Sequence, residues 1–274
     1  MKLKVFVLAL LVLSCASPKE MINGKVKGNG KIITKEINVS GYQEIVLGSG
    51  IQCPNNAGKK GIPVFNYSQS RGGESLAVTT DENILPLLEI HCSKGQLTIS
   101  SKGKTTRLEP TRLVIEGKSK RLTSLIVSGC MDFNLQSDLE GESLYIKGSG
   151  ATDIYLNRPV RMDACEFLIS GSGDLYANDL VTNTIQCKVS GSGDASLKGR
   201  AEEGSFGVSG SGDLKGYDFP VKYLEASVSG SGDIRVNATH TLEAKASGSG
   251  DIRYTGEASV NKRVSGSGDI KRAR

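Results

Sequence analysis

Six copies of Ser-Gly-Ser-Gly-Asp, at 170–174, 190–194, 209–213, 229–233, 247–251 and 265–269, restrict this chain to a repeating architecture. Two looser copies come first, Ser128-Gly-Cys-Met-Asp132 and Ser149-Gly-Ala-Thr-Asp153. The closing aspartates are Asp132, Asp153, Asp174, Asp194, Asp213, Asp233, Asp251 and Asp269, separated by 21, 21, 20, 19, 20, 18 and 18 residues. So even a step marks a solenoid, in which each unit buries its apolar face only against its neighbours.

The residues before each aspartate alternate. Nine, seven and five places back stand Cys165-Phe167-Ile169, Ile185-Cys187-Val189, Gly204-Phe206-Val208, Leu224-Ala226-Val228 and Leu242-Ala244-Ala246, with polar residues mostly between. That is the period of a strand with one face inward. After the aspartate the pattern resumes, with Ile154, Leu175, Leu214, Ile234, Ile252 and Ile270 inward. Each unit reads as strand, corner, strand and a variable loop such as Asn178-Asp179 or Asn237-Ala238-Thr239. The expected fold is all-β, a parallel β-helix with 18–21 residues per coil, whose eight marked coils at ~4.8 Å make a rod about 38 Å long.

The corner glycines, Gly171, Gly173, Gly191, Gly193, Gly210, Gly212, Gly230, Gly232, Gly248, Gly250, Gly266 and Gly268, are expected to supply positive φ and close approach. The serines and aspartates are expected to accept backbone N–H bonds. Lys262 falls at an inward position of the last coil, and charge at an open solenoid end discourages strand addition.

Upstream, 36–118 reads as a less regular β region capping the first coil. Its expected strands are Glu36–Leu47, Gly50–Cys53, Gly61–Tyr67, Ser75–Thr80, Leu87–Cys92, Gln96–Ser101 and Leu113–Glu116. One helical turn is expected over Asp81–Leu85, stopped by Pro86. The repeat β-helix then occupies 119–274.

The N-terminus carries an address. Met1-Lys-Leu-Lys4 is basic and Val5 to Leu13 is apolar, too short for the ~20 residues of a spanning helix and fitting a signal peptide over 1–14. Val12-Leu13-Ser14-Cys15 resembles the lipobox of bacterial lipoproteins, which implies lipidation of Cys15. Residues 15–35 read as a tether. The formal charge of +5 includes Lys2 and Lys4, and no basic run with interleaved aromatics offers a nucleic-acid surface.

Five further cysteines remain, an odd number. Cys165 and Cys187 are offset by two residues between successive coils, a diagonal of about 8 Å that a disulfide does not reach. They read as small buried residues. Cys53 and Cys92 are the candidate bridge in the N-terminal region, with connectivity open. His91 and His240 lie in unrelated settings, an outward strand position and a loop, which argues against zinc.

The repeated corners, with Thr80-Asp81-Glu82-Asn83-Ile84-Leu85 and Tyr42-Gln-Glu-Ile45…Gly48-Ser-Gly-Ile51 upstream, resemble the auto-transporter adhesin head GIN domain family over about 36–270. The resemblance implies a secreted or lipid-anchored β-helical protein of a Gram-negative cell envelope, here an outer-membrane lipoprotein. It carries no binding residue across.

Two surfaces invite a functional reading. Asp174, Asp194, Asp213, Asp233, Asp251 and Asp269 would stack at ~4.8 Å and are weak candidates for calcium. Each corner offers one carboxylate where Ca²⁺ takes six to eight oxygens, so turn bonding is the preferred account and no metal or cofactor is expected. The outward file Tyr155, Tyr176, Lys215, Arg235, Arg253 and Lys271 is a candidate stripe for an anionic glycan or a surface protein. Enzymatic polysaccharide cleavage would need clustered carboxylates with a basic partner, and the outward positions show no recurring cluster. The expected function is that of a lipid-anchored adhesin or surface-binding module. The alternatives are a structural envelope scaffold without a soluble ligand and, further off, a carbohydrate-active enzyme.

Overall fold

The computed structural model describes residues 21–22, 24–53, 61–103 and 107–273. The signal peptide, Cys15 and the start of the tether lie outside the described residues.

The repeats stack in register as parallel coils. Val160–Ile169, Leu175–Val189, Ala195–Val208, Leu214–Val228 and Ile234–Ala246 each pair in parallel with the next. Beyond the corner, Phe133, Ile154, Leu175, Ala195, Leu214, Ile234, Ile252 and Ile270 form one continuous ladder. All eight are buried, as the alternation requires. This is the parallel β-helix.

Inside, like positions pack coil on coil. Phe167, Cys187, Phe206, Ala226 and Ala244 are successive partners, so large and small side chains interdigitate along the axis. Cys187 fills the gap between two phenylalanines. Burial pushes its thiol, and that of Cys165, up to about 12, and both are free and inert. The unequal repeat lengths are absorbed within continuous strands, not in loops. Register shifts fall between Ala177 and Leu180, and between Gly216 and Pro220. Asn178-Asp179 and Asn237-Ala238-Thr239, read as loops, are therefore strand irregularities, and His240 also lies in a strand.

The N-terminal region mixes directions. Glu44–Leu47 lies parallel between Gln96–Ser101 and Ser124–Gly129, and Val64–Gln69 runs parallel to Asp132–Leu135, feeding the first coils. Ser75–Asp81 runs antiparallel to both Leu113–Ser119 and Ile32–Ile37, covering that end. The tether reading gives way here, because Met21–Ile22, Lys25–Lys27 and Ile32–Ile37 are all strands. Gly50–Cys53 reduces to a single bridge between Ile51 and Leu108.

The expected helical turn is displaced. Asp81 ends a strand, and the 3-10 turn spans Leu85–Leu87 with Pro86 near its start, where a missing N–H costs nothing. Asp81 is fully buried, and its carboxylate accepts bonds from the Gly30 amide at 2.8 Å, the Thr111 amide at 2.8 Å and the Thr111 hydroxyl at 2.6 Å. Asp81→Ala strands these donors, and we expect a loss of about 3 kcal/mol in chemical denaturation.

The disulfide also differs from expectation. Cys53 joins Cys130, not Cys92, with Cα atoms 5.5 Å apart. Cys130 occupies the second-serine position of the first loose repeat, which brings it over the Ile51 segment. Cys92 is free, its thiol directed to the Ser40 carbonyl.

Candidate functional site

The aspartate file is internally satisfied. The Oδ1 of each aspartate from Asp132 to Asp251 accepts the backbone N–H of the aspartate one coil on, from Asp153 N–H on Asp132 at 3.0 Å to Asp269 N–H on Asp251 at 2.9 Å, and that of Asp269 accepts the Ile270 amide. From Asp153 onward the Oδ2 atoms are taken by the outward file, from two residues on or from the next coil. Tyr155 donates to Asp153 at 2.9 Å and Tyr176 to Asp174 at 2.8 Å. Lys215 reaches back to Asp194 at 2.5 Å, because Ser196 in that coil is too short. Arg235 bridges Asp213 at 2.8 Å and Asp233 at 3.0 Å, Arg253 holds Asp251 at 3.0 Å, and Lys271 holds Asp269 at 3.2 Å.

This arrangement changes the reading of both surfaces. The stripe Tyr155, Tyr176, Arg235 and Arg253 is brought together as expected, but its polar ends face the aspartates. Its members are the counter-groups of the ladder. Calcium loses its rationale too, since the repulsion it would relieve is already met by protein donors. Among the described residues no group of three or more His, Cys, Asp or Glu is placed to hold a metal ion.

The titration behaviour follows from these bonds. The hydrogen bond to Asp174, with burial, pushes the Tyr176 phenol up to about 12, and burial with the Asp153 bond raises Tyr155 as well. Burial works to raise Asp213, but the Asp233 amide and the Arg235 guanidinium outweigh it and hold the carboxyl below its ordinary value. Lys271 does the same for Asp269, and Arg161 for Asp179. Folding therefore favours their charged forms. That stability is present above about pH 4, the unfolded value, and is lost as pH falls through the lower folded values. Arg235→Gln is expected to cost about 1 kcal/mol at pH 7, its ion pairs being partly exposed. It should also flatten the acid limb below pH 4, as read by thermal melts at pH 7 and pH 3.

The corner chemistry departs from expectation in two ways. None of the twelve repeat glycines has a positive φ. They are glycines because the coils touch: a Cβ on Gly191 would stand 2.0 Å from the Gly171 carbonyl oxygen, and one on Gly212 1.9 Å from that of Gly193. The first serine donates rather than accepts, as Ser170 does to the Gly148 carbonyl at 3.2 Å and Ser247 to that of Val228 at 3.3 Å.

The surface left open lies on another side of the rod. Between the inward positions of the long strands, two consecutive residues face out at Asn183-Thr184, Glu202-Glu203 and Lys222-Tyr223. A groove of about 780 Å³ runs along this bend. One wall follows the register Tyr145, Glu166, Gln186, Ser205, Glu225 and Glu243. The other includes Ser143, Thr184, Glu203 and Tyr223, and the floor is apolar at Leu144, Cys165, Ile185 and Leu224. Tyr223 is 42% exposed, with His240 edge-on to its ring at 5.2 Å. Beyond Ser143 a smaller hollow of about 410 Å³ continues past Arg71, Lys120 and Arg121. The groove was missed in the sequence, although glutamate at the eighth place before the aspartate, in Glu166, Glu225 and Glu243, is a recurring signal.

Among the described residues no helix is long and apolar enough to cross a membrane. Comparison with known proteins adds identity to this geometry. The chain is similar to a protein from Parabacteroides distasonis ATCC 8503 described as a putative adhesin, with 32% identity, a TM-score of 0.82, and 91% of this chain and 100% of that one covered. A protein of the same organism described as a putative lipid binding protein matches at 31% identity and TM-score 0.84, covering 91% of this chain and 100% of that one. A third, a putative adhesin from Parabacteroides merdae ATCC 43184, matches at 28% identity and TM-score 0.80, over 91% of this chain and 99% of that one. No curated protein matches the chain. The family described as "Putative auto-transporter adhesin, head GIN domain" matches residues 63–258, and with its stacked coils and repeated corners the chain belongs to that family.

Proposed function

We propose that this protein is a lipid-anchored rod on the cell envelope that works as an adhesin-type binding module, with the groove beside the bend as its binding face. The observation that carries this reading is a contrast between two long surfaces. The corner face spends its charged groups on one another, coil by coil. The groove walls carry carboxylates, hydroxyls and two tyrosines that face solvent across the same stack of coils. Concave, partly apolar surfaces with a few convergent polar groups are where proteins take ligands.

The address rests on the basic lead, the apolar run and Cys15, and acylation there would hold the rod at a membrane through about 0.8 kcal/mol per buried CH₂. The adhesin and lipid-binding descriptions of the similar proteins fit a surface molecule of this kind. Labelled palmitate should enter the wild-type chain and not Cys15→Ala, and protease added to intact cells should remove the rod. A Cys15→Ala chain that stays labelled and membrane-bound would refute the anchor. A rod untouched on intact cells and cut only after lysis would refute surface display. An array of glycans and envelope proteins then tests the module: binding that Tyr223→Ala abolishes supports it, and a bare array refutes it.

A further inference from the structure

We propose that the groove binds an extended polysaccharide carrying free amino groups, one sugar per coil. This rests on the groove being the binding face and names its ligand class. The first argument is charge. Glu166, Glu203, Glu225 and Glu243 line the groove, and among the described residues none of them is in an ion pair and no Lys or Arg lines it. Lys222, beside Tyr223 in the wall, is turned to Glu202 and over the Tyr223 ring. An anionic chain of uronates or sulfated sugars would meet repulsion at the coils that carry these glutamates, and an ammonium on each sugar would meet a carboxylate at most coils.

The second argument is spacing. From Tyr145 to Glu243 the wall climbs five coil steps, about 24 Å at ~4.8 Å each. An extended equatorially linked pyranose chain advances by nearly one coil step per sugar, so each residue meets an equivalent set of groups. An extended peptide advances ~3.3 Å per residue and drifts out of step with the coils.

The third argument is the lining. Ser143, Thr184 and Ser205 offer hydroxyls, Gln186 an amide, and Tyr145 and Tyr223 rings on which a sugar face can rest. Exchange of Glu for Gln keeps the shape of the wall and removes its charge, which separates the electrostatic part from the steric part.

The test uses the full-length chain and four immobilised probes of matched length: a glucosamine hexamer, its N-acetylated counterpart, an oligogalacturonate and an oligolysine. The glucosamine hexamer is expected to bind most tightly, to weaken at least tenfold in Glu225→Gln/Glu243→Gln, and to weaken further as salt is raised. Tyr223→Ala should weaken both the amino and the N-acetylated chains. All these side chains face solvent, so melting temperatures should stay at the wild-type value, which certifies the variants. Equal binding of the hexamer by the double variant would overturn the proposal. So would groove-dependent binding that favours the oligogalacturonate or the oligolysine, although either would leave the groove standing as a binding face. Failure of all four probes would overturn it as well, and the wider array then decides whether the groove binds anything.

Discussion

Gly212→Ala should unfold the middle of the rod, while Ser211→Ala, one residue earlier in the same corner, should be silent. The added methyl would stand 1.9 Å from the Gly193 carbonyl oxygen, which belongs to the backbone of the coil beneath and cannot rotate away. Relief requires the coils to part. That breaks the bonds from the Ser211 and Gly212 amides to the Gly191 carbonyl, at 3.0 and 3.2 Å, and disturbs the Asp213 amide on Asp194 at 2.8 Å. Overpacking of about 3 kcal/mol with at least one lost hydrogen bond gives an expected cost of about 4 kcal/mol. Ser211 is exposed, and truncating it should change stability by less than about 0.5 kcal/mol. Denaturant unfolding of the two variants side by side reads the difference. If Gly212→Ala matched wild type, the coils would not be in contact at this corner.

Loss of the disulfide is the second large effect. Cys53 and Cys130 are 77 residues apart, so the bridge removes denatured-state entropy worth about 4.5 kcal/mol in the chain-entropy treatment. The bridge also ties the Ile51 segment, held otherwise by a single β-bridge to Leu108, onto the first repeat corner. The Cys53→Ser/Cys130→Ser chain is expected to lose about 4 kcal/mol, and Cys92→Ser close to nothing. Thiol titration of the denatured, unreduced chain provides an independent check, since Cys92 should react there while Cys53 and Cys130 do not. Equal stability of the double variant would mean that the denatured chain is already constrained at this loop.

The repeat region was legible because its signals are local and redundant. Alternation around every aspartate placed Phe167, Cys187, Phe206 and Ile234 inward, and the structure buries all four. The N-terminal strands were found nearly to the residue where a hairpin or a polar boundary marks them, as at Gln96–Ser101. What the sequence hid depends on contacts across coils. The partner of Cys53 is fixed by which segment covers the first corner, and no spacing records that. Of the two reasons expected for the corner glycines, close approach to the coil below holds and positive φ does not, which only the stacked backbone separates.

The stripe misled for a related reason. Tyr155, Tyr176, Arg235 and Arg253 look outward along their own strands, but each stands two residues from an aspartate on the same face and within reach of its Oδ2. Alternation tells which face a residue shares and not whom it meets there. Glu166, Glu225 and Glu243 shared the opposite fate. They recur at one position of the repeat, yet read singly among Gln186 and Ser205 they passed for ordinary surface. In the last described coil Lys262 is exposed and donates to the Ile270 carbonyl at 3.2 Å, and Val264 is 48% exposed.

Everything rests on the corners forming one file at a constant step, and spin labels at exposed second-serine positions measure that directly. Labels at Ser172 and Ser249 are four coil steps apart and those at Ser172 and Ser267 five, so pulsed electron–electron distances should centre near ~19 and ~24 Å. An increment of about one coil spacing between the two pairs is the predicted result. Equal distances, or a longer distance for the nearer pair, would contradict the stacked file, and with it the satisfied aspartate ladder and the groove on its flank.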